Sequence, residues 1–282
     1  MASGFQHGSR RRVWEQASEL GRKTVSRKEK LGTTDMKKNT HEYADAIESL
    51  AGFFAFIQEH CSEFDDALFR GQTEDWSLLP KLARLRLRGE LTVREAESKM
   101  LTSLKTRSLP YLDSIPQNDW DWLAIAQHYG MATRLLDWST NPLAALWFAV
   151  EKPARAEQDG VVWVFTPSQE DHVATVDSGT PFDSDRTRVF MPKHINRRIV
   201  AQHGWFTAHY IRKTDSKFVP LEKNARYKKS LMKLRVPATA FPSIRTELDR
   251  CGINAATLYG DLVGLCRNSE WQHLLLDDED ND

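Results

Sequence analysis

Apolar residues recur along this chain in two rhythms, and the switches between them mark out its elements. In HEYADAIESLAGFFAFIQEH (41–60), Ile47, Leu50, Phe53, Phe54 and Ile57 return at helical spacing, which predicts an amphipathic helix. ALFRGQ (67–72) is a short apolar burst ending in Arg-Gly and reads as a strand entering a turn. SLLPKLARLRLR follows, and then TVREAESKMLTSLKTRSL (92–109), a helix with its charges on one side. NDWDWLAIAQHYG (118–130) predicts a helix capped by Asn118 or Asp119 and stopped by Gly130. In STNPLAALWFAVE (139–151), Asn141 suits the N-cap and Pro142 the first helical position. Thr133, Arg134 and Asp137 then fall in a connector between two apolar helices.

Later in the chain the period shortens. GVVWVF (160–165) reads as a buried strand, GWFTAHYI (204–211) alternates as a second, and KSLMKLRVP (229–237) predicts a third. PSIRTELDRCG and the segment after Asn254 return to helix. No internal repeat or low-complexity linker divides the chain, so the pattern predicts one α+β domain over residues 41–275.

Composition adds the two ends. Lys plus Arg equals Asp plus Glu at 39 each, so bulk charge does not indicate a generic polyanion binder. Residues 1–40 nevertheless carry ten basic and four acidic side chains, a basic and partly mobile arm with a short helix around VWEQASELGRK. Nucleic acid binding through this arm is an alternative function, marked by steep salt dependence. The close of the chain, 276–282, is acidic and reads as a solvated tail. Cys61, Cys251 and Cys266 have no CxxC spacing and read as reduced, buried thiols of a cytoplasmic protein. No apolar run reaches the ~20 residues needed to cross a bilayer, so no membrane partner is expected.

Standard chemical motifs are absent. His128, His194, His203 and His209 lack paired ligand spacing, so no metal site is expected. Neither GxxxxGK, GxGxxG nor GxSxG occurs. What stands out instead is a set of polar residues among large apolar ones. Arg70 at a strand end beside Gly71 suits a bidentate grip on phosphate or carboxylate, with the glycine admitting a ligand to the backbone. Its alternative is a pair with a buried acid such as Asp137. His128 and Tyr129 close a helix, where the dipole alone favours a histidine. Arg134 and Asp137 suit a bidentate pair that braces the connector. Ser139, Thr140 and Asn141 suit helix-start chemistry, which is compatible with holding a pyrophosphate. Trp120, Trp122, Trp138 and Trp147 read as core.

FRGQ (69–72), WSLLP (76–80), AQHYG (126–130), TRLLDWSTNPLAALWFAV (133–150), RRIVAQHGWFT (197–207) and LDRCGINAATLYGDLVGL (248–265) together resemble the FRG domain family. They do so in order, over nearly all of residues 41–267. Gly260 departs from the family pattern, in which proline is commoner.

The order of Arg-Gly, Ser-Thr and a late polar residue also resembles the ADP-ribosyltransferase fold. That resemblance implies a mixed, split β core with flanking helices and NAD as substrate. It implies Arg70 as phosphate holder, Ser139 and Thr140 as the nicotinamide wall, and Gln202 at the position of the glutamate that engages ribose. Gly71, Tyr129, Thr133, Arg134 and Asp137 would complete the nucleotide pocket, and His128 or Asp137 would supply a base. The expected function is an NAD-consuming ADP-ribosyltransferase or NAD glycohydrolase, a toxin or phage-defence effector acting on a macromolecular acceptor. The alternative is a non-catalytic nucleotide-binding or sensor module.

Overall fold

GVVWVF, apolar at every position, is buried at all six residues and forms a strand packed on both faces. This strand is β3 (Gly160–Phe165), and it lies between β1 (Leu68–Gln72) and β6 (Leu231–Val236). A second group comprises β2 (Leu135–Ser139), β4 (Arg188–Phe190) and β5 (Gly204–Ala208). The computed structural model describes residues 46–62, 66–112, 114–155, 158–173, 179–193, 202–214 and 217–280. The basic arm, the helix expected around VWEQASELGRK, His194 and residues 197–201 lie outside them. Residues Asn39–Asp282 form one compact unit.

The sheet order is β4-β5-β2-β1-β3-β6, and every neighbouring pair is antiparallel. The expected mixed core is therefore corrected: no named strand pair among the described residues uses a parallel crossover. The two halves meet through very little. β1 pairs with β3 at five successive positions, from Leu68↔Phe165 to Gln72↔Val161, but with β2 only at Phe69↔Ser139. Beyond that pair the strands part.

Eight helices among the described residues flank the sheet. They are α1 (Leu50–His60), α2 (Lys81–Arg84), α3 (Val93–Arg107), α4 (Asp119–His128), α5 (Pro142–Val150), α6 (Phe241–Arg250), α7 (Ala255–Tyr259) and α8 (Leu262–Trp271). Local chemistry sets several ends. The Asn118 side chain accepts from Asp121 N at 2.9 Å, and Gly130 (φ 81°) follows the end of α4. Asn141 caps α5, accepting from Leu143 N at 3.0 Å, with Pro142 at the first position. Thr92 and Glu95 form a reciprocal capping box on α3. Gly260 closes α7 at φ 62°, a conformation closed to the proline of the family pattern.

Several expectations need correction. Residues 46–49 are not helical, and the helix starts at Leu50, where Ser49 caps it by accepting from Gly52 N at 3.2 Å; residues 41–45 of the expected helix lie outside the described ones. Ile47 still joins the core from non-helical backbone, its N–H bonded to Arg235 O. The 204–211 stretch is strand only to Ala208. The connector holding Asp137 is itself strand β2, with Thr133 and Arg134 just before it. Cys61 is buried, but Cys251 and Cys266 are exposed. The acidic end is docked rather than solvated at Asp278 and Glu279. Arg245, a buried guanidinium of α6, bonds both carboxylates, and Trp271 Nε1 donates to Glu279 at 2.9 Å. A buried cation requires such partners.

The tightest packing lies between α5 and the β1–β3 pair. A Cβ added at Gly71 would sit 1.8 Å from Ala145 O and 2.6 Å from Ala149 N, both backbone atoms. One at Gly160 would meet Ala149 O at 2.7 Å. On its Cβ side Gly71 therefore admits a helix. Gly71→Ala should cost at least the upper end of the ~1–3 kcal/mol typical of overpacking, because backbone must move. Gly52→Ala, in a helix with only Ser49 Oγ nearby at 3.5 Å, should instead stabilise by ~0.5–1 kcal/mol. Urea unfolding of both variants checks this contrast.

Candidate functional site

The parting of β1 from β2 opens a cleft of about 400 Å³. β1 supplies Arg70, Gly71 and Gln72 to its wall, β2 supplies Asp137 to Ser139, and β5 supplies Gly204 to Phe206. α5 contributes Ala145 and Phe148, with Glu151 and Lys152 just past its end. Gln127 and His128 come from the end of α4, and Trp76 and Gln202 from loops. The volume and the mix of aromatic and polar side chains suit a small-molecule site.

Arg70 is a cation of its wall. Its Nη1 donates to Asp137 O at 2.8 Å and lies 3.8 Å from the Asp137 carboxylate, while its buried Nε has no protein partner. Burial pulls this guanidinium below its ordinary value, Asp137 pushes it back, and Arg84 adds to the depression. Arginine stays charged nonetheless. Asp137 is 55% exposed, so its ion pair with Arg70 is a surface contact worth ~0–1 kcal/mol. That disposes of the buried Arg–Asp pair as the main role of Arg70.

A chain of hydrogen bonds aims Asp137. Leu135 N donates to Thr133 Oγ1, which donates to Gln127 Oε1 at 2.6 Å, and Gln127 Nε2 donates to Asp137 at 3.0 Å. Ser139 is committed within the fold: its Oγ donates to Gln202 O at 2.6 Å and accepts from Asn141 N. That bond holds the turn before β5, where His203 takes φ 47°. Gln202 lines the cleft, and its buried Nε2 has no protein partner.

The structure thus brings Arg70, Gly71, His128, Asp137, Ser139 and Gln202 together at one cleft. Tyr129, Thr133, Arg134 and Thr140 are not among its lining residues. Tyr129 is 71% exposed, its ring edge-on to His128. Thr133 is buried beneath Gln127, and Thr140 is exposed, with its N–H on His203 O.

Arg134 does not brace Asp137. It pairs with Glu97 of α3, both side chains buried, through Nε at 3.0 Å and Nη2 at 2.5 Å, and Nη1 donates to Pro181 O. The α5 N-terminus offers no free cradle either, since Asn141 takes Leu143 N and Ala144 N and the cleft meets the helix further along. Trp120, Trp122, Trp138 and Trp147 are buried as expected. Sequence reasoning missed Gln72, Trp76, Gln127, Glu151, Lys152 and Trp205. Of these Gln72, Trp76, Gln127 and Trp205 carried a signal, through the FRGQ, WSLLP, AQHYG and RRIVAQHGWFT segments.

Residues 65–158 match the FRG domain, and the chain carries a domain of this family. The match spans β1 to the approach to β3, which includes the Arg70, His128 and Asp137 walls; Gln202 and β5 lie beyond it. No curated protein and no solved structure matches the chain. No helix among the described residues is long and apolar enough to cross a membrane.

One buried titratable group sits in the field of both arginines. His209 is pushed down to about 3 from its ordinary 6.5, first by burial and then by the charges of Arg70 and Arg134. Its Nε2 lies 3.1 Å from Thr207 Oγ1, which also accepts from Trp138 Nε1. The unfolded chain takes up this proton as pH falls through 6.5, whereas the folded chain does not until about 3. Stability is therefore lost on acidification, by ~1.4 kcal/mol per pH unit in that window. Between pH 7 and 5 the native protein should lose about 2 kcal/mol more than His209→Gln, measured as urea-unfolding free energies.

Proposed function

We propose that the cleft binds NAD, and that the protein cleaves its nicotinamide–ribose bond as an ADP-ribosyltransferase or NAD glycohydrolase. The setting proposed is a cytoplasmic toxin or phage-defence effector. One observation carries this reading: the half-buried guanidinium of Arg70, anchored through Nη1 on Asp137 O, keeps a buried Nε without a protein partner at a cleft walled by Trp76, Phe148 and Trp205. A charge-assisted donor fixed in that way suits a phosphate oxygen.

When the bond breaks, its electron pair leaves on the nicotinamide nitrogen and C1′ gains oxocarbenium character. An oxygen nucleophile from water or a macromolecular acceptor then bonds to C1′ and gives up its proton, for which His128 is the candidate base. Gln202 Nε2 would donate to a ribose hydroxyl, and the Asp137 carboxylate is a nearby negative charge that would offset the cationic centre.

A second reading, a nucleotide-binding or sensor module without turnover, is favoured by Gln202 itself. An amide neither takes a proton nor offsets positive charge. Incubating the protein and cell lysate with labelled NAD separates the two, together with ADP-ribose calorimetry on native and Arg70→Lys protein. We expect nicotinamide release and ADP-ribose binding weakened roughly ten- to hundredfold by Arg70→Lys, with little change in Tm. Tight binding without release supports the module, and neither binding nor release overturns both.

A further inference from the structure

Gln72 places a buried, unpartnered carboxamide oxygen at the wall of the cleft. The residue is only 5% exposed. It lies on β1 two residues past Arg70, so strand alternation gives the two side chains the same face of that strand. Backbone pairing with Val161 fixes its position. Burying an amide without a partner costs ~1–3 kcal/mol, and the apolar neighbours of β1 show that this site does not require a polar residue for packing: Leu68, on the same face, is buried in an aliphatic and aromatic cluster. A carboxamide kept there at such a cost is suited to a ligand.

We propose that Gln72 is a specificity-determining residue whose carboxamide reads a planar ligand edge bearing an adjacent N–H donor and acceptor. This inference rests on the reading of the cleft as a nucleotide site. A carboxamide presents one acceptor and two donors in a plane, so it pairs in two parallel hydrogen bonds with such an edge. Two parts of NAD have it, the carboxamide of nicotinamide and the amino-pyrimidine edge of adenine. Arg70, holding phosphate on the same strand, sets the distance at which the edge falls.

Calorimetry with three probes tests this on native protein and Gln72→Leu: NAD, nicotinic acid adenine dinucleotide, and a nicotinamide dinucleotide with unsubstituted purine in place of adenine. The acid analogue removes the donor from the nicotinamide side, and the purine analogue, which keeps N1 as acceptor but has no amino group, removes it from the adenine side. Native protein should bind one analogue at least tenfold more weakly than NAD, which identifies the edge being read. Gln72→Leu should bind NAD ten- to hundredfold more weakly and lose that discrimination, with Tm unchanged or raised.

Equal NAD affinity and equal discrimination in the two proteins overturns the role of Gln72 and leaves the nucleotide reading standing. A fall in Tm with unchanged affinity assigns Gln72 to the fold instead. If native protein binds none of the probes, the nucleotide reading fails and this assignment with it.

Discussion

The approach of α5 to the β1–β3 pair is the constraint on which the cleft depends. Ala145 and Ala149 of the helix meet Gly71 and Gly160 of the strands at distances that exclude any Cβ on the glycines. One face of β1 is thereby committed to the helix through Phe69 and Gly71. The alternate residues, Leu68, Arg70 and Gln72, take the other face. With β1 held to β3 at five positions and to β2 at one, the strands separate just where Arg70 begins. The cleft opens beside this packed contact and is lined by both elements, with Arg70 and Gln72 from β1 and Ala145 and Phe148 from α5.

Two arginines near this gap show how surroundings sort function from structure. Arg134 is enclosed, and Glu97 meets its guanidinium through more than one hydrogen bond. Removing either partner would strand a buried charge, at a cost of ~3–5 kcal/mol. Arg70 has a half-exposed carboxylate at 3.8 Å, a single backbone anchor and an unused Nε. The first arginine spends its donors on the fold. The second keeps one for something else. His209, within the field of both, stays neutral, so it adds no third positive charge.

Much of this was legible in the sequence, for physical reasons that differ by element. The helices over 93–107 and 119–128 and the strand at 160–165 announce themselves by period, capping residues or an unbroken apolar run. β2 did not, because its five residues are squeezed between the glycine that stops α4 and the Asn-Pro that starts α5. Reading that stretch as a connector also made an Arg134–Asp137 contact look natural. Three residues apart along extended backbone, the two side chains leave on opposite faces. Glu97, the true partner, lies 37 residues away and no local pattern points to it. Tyr129 and Thr140 neighbour the lining residues His128 and Ser139 in sequence, but both are exposed and neither lines the cleft. Gln72 was visible as a letter in FRGQ, but its burial without a partner exists only in three dimensions. The acidic end shows the same limit, since only the fold reveals that buried Arg245 needs those carboxylates.

The central claim is that the gap between β1 and β2 is a ligand site organised by Arg70. A crystal structure of the protein grown with ADP-ribose, which lacks the scissile nicotinamide bond, tests it most directly. The account predicts a phosphate oxygen within hydrogen-bond distance of Arg70 Nε and the nucleotide lying along the cleft walls. Ligand bound elsewhere, or a cleft left empty at saturating ADP-ribose, would contradict it.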